Sequence, residues 1–364
     1  MSRPKVVAFG GGHGLASSLS ALRHLTDSIT AIVTVADDGG SSGRLRSEYG
    51  VLPPGDLRMA LAALCDDSEW GHLWRDVLQH RFSGNGPLAG HALGNLLIVA
   101  LWELLGDTTK SLEVVGRLLG ARGRVLPMAT VPLTIAADVV PPASVSGAVS
   151  AAVAAIAQPV AGEPQADGPP DGEHPAGGAE PGLGIHRPGA GVVPAGLLRP
   201  VVEHVRGQSK VAVAPGHVVS VCLDPPDPPA SPEAVAAIMD ADWVVLGPGS
   251  WFTSIMPHLL VPQLREALES THARRLLTLN LQLNRGETEG YTAQRHLRSL
   301  HDHAPNLQLD VVLADPSVID DAERLAEAAA ELGAHLTVAR VGAMDNPATH
   351  DVLRLAAAYR DIFT

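Results

Sequence analysis

Short apolar runs alternate with polar, glycine-rich clusters along most of the chain. Residues 6–9 are apolar and are closed by Gly10, Gly11, Gly12, His13 and Gly14, after which residues 15–19 resume with helical spacing. Short apolar runs bounded by glycine predict buried strands. The same reading predicts strands at 29–36, 125–127 and 131–140, then at 197–204, 210–213, 218–223, 242–246, 275–281, 309–314 and 335–341. Helical periodicity and start signals predict helices at 59–64, at 69–82, one opened by residues 90–97 and running through Leu105, and others at 231–239, 261–270, 291–303, 318–332 and 349–363. In 69–82, Trp70, Leu73, Trp74, Val77 and Leu78 form the stripe expected to pack in the core. Strands alternating with helices predict one Rossmann-like, doubly wound α/β domain over residues 1–364, with a mostly parallel sheet and helices on both faces.

Residues 158–196 break the pattern. They are rich in glycine and proline, carry scattered acids and hold almost no large apolar side chains. Such a composition cannot bury enough surface to offset its ordering entropy, and the expectation is a disordered surface insertion.

Composition narrows the function classes. Hydrophobic residues make up 46% of the chain and aromatics 3%, so the core is expected to be aliphatic. A net charge of −13 argues against non-specific nucleic-acid binding. Cys65 and Cys222 offer neither a disulfide framework nor zinc spacing, and the expected compartment is a reducing cytoplasm. No run has the length of a membrane span, and the first apolar run stops at Gly10, too early for a signal peptide.

The candidate chemistry sits after the predicted strands. Gly10–Gly14 joins a strand to a helix, where free backbone N–H groups and the helix dipole suit phosphate. The loop is not G-x-G-x-x-G, because Leu15 stands where the third glycine would fall, and it is not a P-loop. On glycines alone, a phosphate site and a tight turn are equal readings. The next loop adds Asp37, Asp38, Ser41 and Arg44, more polar groups than a capped turn needs. Asp56 precedes a helix that it can cap. Arg58 falls in that helix's first turn, which points to an anionic partner or an exposed ion pair. Asn95, between Gly94 and an apolar helix, must find hydrogen-bond partners in protein or ligand. A second strand–glycine loop–helix unit carries Gly247, Gly249, Ser250 and Thr253, and it is not a nucleophile elbow. Asn280 ends a further strand. His296, His301 and His303 lack zinc-helix spacing and are expected at a solvated helix end. No catalytic residue and no metal ligand is assigned. An NAD-dependent oxidoreductase finds no catalytic pair here.

Taken together, Gly10–Leu15, Thr34–Arg46, Pro53–Arg58, Gly90–Leu97, Gly247–Ser254 and Gly286–Thr288 resemble the YvcK-like gluconeogenesis factors, relatives of the 2-phospho-lactate transferase CofD. The resemblance implies a cytoplasmic protein that binds a UDP-sugar, typically UDP-N-acetylglucosamine. It further implies a role in cell-wall synthesis and cell shape, a Ser/Thr kinase and cell-wall synthesis proteins as partners, and no required cofactor, and it leaves a homo-oligomer open. On this reading Gly10, Gly11, Gly12, His13 and Gly14, with Gly247, Gly249, Ser250 and Thr253, hold the diphosphate. Asp37, Asp38 or Asn95 reach hydroxyls, Arg44 and Arg58 supply positive charge, and Ser41, Asp56 and Asn280 complete the candidate contacts. The alternative is a transferase using a GDP-linked donor, a deazaflavin acceptor and Mg²⁺. His13 stands where the family usually has Thr, and Trp251-Phe252 where it has Leu-Tyr.

Overall fold

The structure is a computed structural model and describes residues 3–141, 202–283 and 286–364. The insertion expected at 158–196 lies outside the described residues, as do residues 197–201 and Asn284 and Arg285.

Seven strands form one sheet: β1 (Val6–Gly10), β2 (Ile29–Val33), β3 (Arg124–Pro127), β7 (Trp243–Leu246), β8 (Arg274–Thr278), β9 (Val311–Ala314) and β10 (His335–Val338). Their order is β10-β9-β8-β7-β1-β2-β3, and every neighbouring pair is parallel. In register, Phe9 lies between Ile32 and Leu246. Helices pack around this sheet, so the Rossmann-like α/β class holds. Parallel strands covered on both faces read as continuous apolar runs, and Val6–Gly10 and Trp243–Leu246 are buried throughout. From β1 the chain winds outward through β2 and β3, then returns to β7 on the other side of β1. The sheet therefore changes direction between β1 and β7, where open α/β sheets bind ligands at the carboxyl ends of their strands.

A small antiparallel sheet of β4 (Thr134–Val140), β5 (Glu203–Arg206) and β6 (His217–Asp224) stands apart from the parallel one. The strand expected at 210–213 is instead a short helix, α7 (Gln208–Val211). Gly207, at φ 107°, ends β5, and the Asp38 carboxylate accepts the Ser209 N–H at 2.9 Å, capping that turn from across the fold.

Helix α4 (Glu69–Gln79) forms where expected but buries only part of its stripe. Leu78 is fully buried, whereas Trp70 and Leu73 are each 56% exposed. Trp70 spends its indole N–H on the Leu118 carbonyl at 2.9 Å and lies 5.7 Å from the Trp74 ring. Among the described residues no helix is long and apolar enough to cross a membrane.

The carboxy-terminal helix α13 (Val352–Phe363) ties the frame together. The buried Tyr359 hydroxyl lies 3.0 Å from Ser18 on α1 (Gly12–Leu22) and 3.0 Å from Thr278 at the end of β8. Tyr359→Phe would leave two buried hydroxyls short of a partner. The expected cost is about 1–2 kcal/mol. It should appear as a lower urea midpoint at unchanged slope.

Candidate functional site

The glycine loops after β1 and β7 touch. A Cβ on Gly14 would stand 2.2 Å from the Pro248 carbonyl oxygen, so the two backbones meet with no side chain between them. Helix α1 begins at Gly12 with Gly11 as its N-cap, which has no side chain to cap with, and the Gly12 N–H is taken by the Asp56 carboxylate. The first-turn N–H groups after Gly12 and the positive dipole end face the space where the loops converge.

That space is a cavity of about 330 Å³. Among its lining residues are Gly11, Gly12, His13, Gly14, Asp56, Gly249, Ser250 and Asn280, all expected from sequence. Gly10 and Gly247 close the strands beneath the two loops. A second cavity of about 360 Å³ shares Gly249, Ser250, Asn280 and Gln282 with the first, and Trp251, Glu287 and His296 are in its wall. The two cavities adjoin along these shared residues and are together called the cleft.

Asp56 does not cap its own helix. It sits in the first turn of α3 (Pro54–Ala63), whose N-cap is Pro53, and its carboxylate accepts the Gly12 N–H across the cleft wall. Burial, and then the neighbouring Asp37, push its pKa up to about 7, against the smaller pulls of Gly12 and Arg58. Asp37 is also raised, chiefly by burial, while its Oδ1 accepts the Gly39 N–H at 2.9 Å.

The other expected contacts lie outside the cleft lining, held by partners within the protein. Asp38 holds the Ser209 N–H. Ser41 Oγ accepts from the Asn95 amide at 3.0 Å and lies 3.0 Å from His91 Nδ1. Asn95 Oδ1 accepts from Arg58 Nε at 2.8 Å, and Arg58 also bonds Gln79. Arg58 is only 3% exposed, so the exposed ion pair open to it from sequence is absent, and amide oxygens take its charge instead. Arg44 donates to the carbonyls of Ala89, at 2.8 Å, and Pro87.

The second loop, like the first, meets a buried carboxylate, and the sequence did not reveal this one. Its helical turn, Trp251–Ile255, is already capped by the Glu287 carboxylate, which accepts the Phe252 N–H at 2.9 Å and further bonds from Trp251, Thr253 and the Thr253 hydroxyl. Thr253 is thus engaged. Burial raises the Glu287 pKa to about 7 despite those donors. His296, expected in solvent, is 2% exposed: its ring stands edge-on to Trp251 at 5.0 Å, and burial lowers its pKa to about 4. Among the described residues no group of three or more His, Cys, Asp or Glu side chains is placed to hold a metal ion. His350 and Gln208 also line the first cavity. Neither carries a motif, and their position in the fold alone brings them there.

Residues 6–341 match the family described as 2-phospho-L-lactate transferase CofD. The chain is 46% identical over 360 residues to a Mycobacterium leprae protein that carries the gluconeogenesis-factor name, covering 98% of this chain and 85% of that one. It is 33% identical over 319 residues to the gluconeogenesis factor of Bacillus subtilis, covering 88% and 81%. A solved Bacillus halodurans member of the UPF0052 family superposes with a TM-score of 0.74 at 30% identity, covering 98% of this chain and 99% of that one. With its sheet, its paired glycine loops and these relatives, the chain belongs to the CofD family, among the YvcK-like gluconeogenesis factors.

Proposed function

We propose that this protein is a regulatory binder of UDP-N-acetylglucosamine, with the diphosphate at the amino-terminal end of α1 and the remainder of the ligand along the cleft. The observation that carries the reading is the amino-terminal end of α1 meeting the Pro248–Gly249 backbone at the direction change of the sheet. The gluconeogenesis-factor relatives support a regulatory role, which we extend to cell-wall synthesis and cell shape. The name of the matched family supports a second reading, a transferase with a GDP-linked donor, a deazaflavin acceptor and Mg²⁺.

Isothermal titration with UDP-N-acetylglucosamine, UDP-glucose, GDP and NAD separates the two. The expected result is saturable binding of UDP-N-acetylglucosamine, weaker binding of the others, and ligand recovered unchanged. Preference for GDP, or consumption of a GDP-linked lactate donor with a deazaflavin present, would favour the transferase.

A further inference from the structure

The wall of the first cavity carries a feature that a phosphate site alone does not need. His350 is 7% exposed and lines this cavity, and its Nε2 is buried without a hydrogen-bond partner. The ring's other nitrogen bonds the Leu279 carbonyl. A carbonyl only accepts, so that nitrogen carries the proton, and Nε2 of the neutral ring is a bare acceptor. Burial lowers the pKa of this ring to about 4, which keeps it neutral near pH 7. Gln208 lines the same cavity, and its Oε1 is likewise buried and unpartnered.

The residues that line the cavity therefore carry two kinds of polar group. The α1 terminus offers donors, which suit an anion. His350 and Gln208 offer acceptors, which an anionic oxygen cannot satisfy. A buried acceptor without a donor costs about 1–3 kcal/mol, so a matching ligand gains by supplying one. The complementary chemistry is a phosphate ester whose neighbouring group carries hydroxyl or amide hydrogens.

We propose that His350, together with Gln208, accepts hydrogen bonds from a sugar of the bound nucleotide, and so distinguishes a phosphorylated sugar from a bare phosphate. This inference rests on the sugar-nucleotide reading above and assigns that site a specificity residue.

The test compares wild type with His350→Phe, using UDP-N-acetylglucosamine and inorganic diphosphate as probes in isothermal titration. The variant should bind UDP-N-acetylglucosamine about tenfold more weakly while binding inorganic diphosphate as wild type does. Retained diphosphate binding also shows that the cleft is intact. In ¹⁵N-histidine-labelled wild type, the Nε2 resonance of His350 should move on adding UDP-N-acetylglucosamine and stay in place on adding diphosphate. Unchanged affinity for the sugar nucleotide in the variant would overturn the proposal. So would equal losses for both probes, which would make His350 a support of the cleft. Wild-type protein that binds diphosphate yet ignores every sugar nucleotide would instead remove the reading on which the proposal rests.

Discussion

Gly14→Ala should destabilise the protein by about 3 kcal/mol and abolish binding in the cleft, the upper end of what overpacking costs. The added methyl would stand 2.2 Å from the Pro248 oxygen, 2.7 Å from the Pro248 carbonyl carbon and 2.8 Å from Gly249 Cα. All three are backbone atoms, with no flexible tip to swing aside, so one loop must move. Alanine's better helix propensity offsets roughly 1 kcal/mol at most, and the clash outweighs it. Gly12→Ala is the control. Its Cβ would meet nothing within 4 Å, but its backbone lies at φ 56°. The expected cost is about 1–2 kcal/mol, from conformation alone. Urea unfolding of the two variants should rank Gly14→Ala as the worse, with no binding by titration. A Gly14→Ala protein as stable as wild type would mean that the loops do not touch as described.

The contact at Gly14 also marks how far the sequence could be read. Parallel strands buried on both faces leave unbroken apolar runs, so β1, β2, β7, β8 and β9 stood out as segments. The glycines that follow β1 and β7 were visible, and their convergence followed from the alternating pattern. Partners distant in sequence were not visible. Asp38 and Ser41 look like ligand groups in a polar loop, yet Asp38 bonds Ser209, 171 residues away, and Ser41 bonds Asn95, 54 residues away. A run such as 210–213 shows apolar character but not the carboxylate that starts a helix there. Trp70 and Leu73 have core-like spacing, but α4 buries only part of its apolar stripe, and periodicity cannot show how much of a stripe is covered. His350 sits among polar neighbours in sequence, and the bridge between Gly342 and His350, with the Asp351 N–H bonded to the Val341 carbonyl, is a pairing that the sequence does not announce.

Glu287 yields the other large expected effect, and it depends on pH. Its carboxyl is 4% exposed and has its pKa raised from 4.5 to about 7. Below the ordinary value both folded and unfolded chains hold the proton, and the group contributes its full stability. As pH rises, the unfolded chain ionises first, and stability is lost until the folded group ionises near pH 7. A shift of that size corresponds to about 3 kcal/mol. Glutamine keeps an oxygen to accept the Phe252 N–H but does not titrate. Relative to wild type, Glu287→Gln should therefore gain up to about 3 kcal/mol between about pH 4 and about pH 8. Buried His258, His296 and His350, each lowered to about 4, act with the opposite sign, losing stability as pH falls below the ordinary histidine range. They are common to both proteins and cancel in the difference, so the variant-minus-wild-type free energy from urea titrations across that range isolates Glu287. A difference that stays flat with pH would place an ordinary, ionised carboxylate at the cap. The second glycine loop would then hold a permanent negative charge beside the cleft and repel a diphosphate, whereas a neutral carboxyl caps the turn without that repulsion.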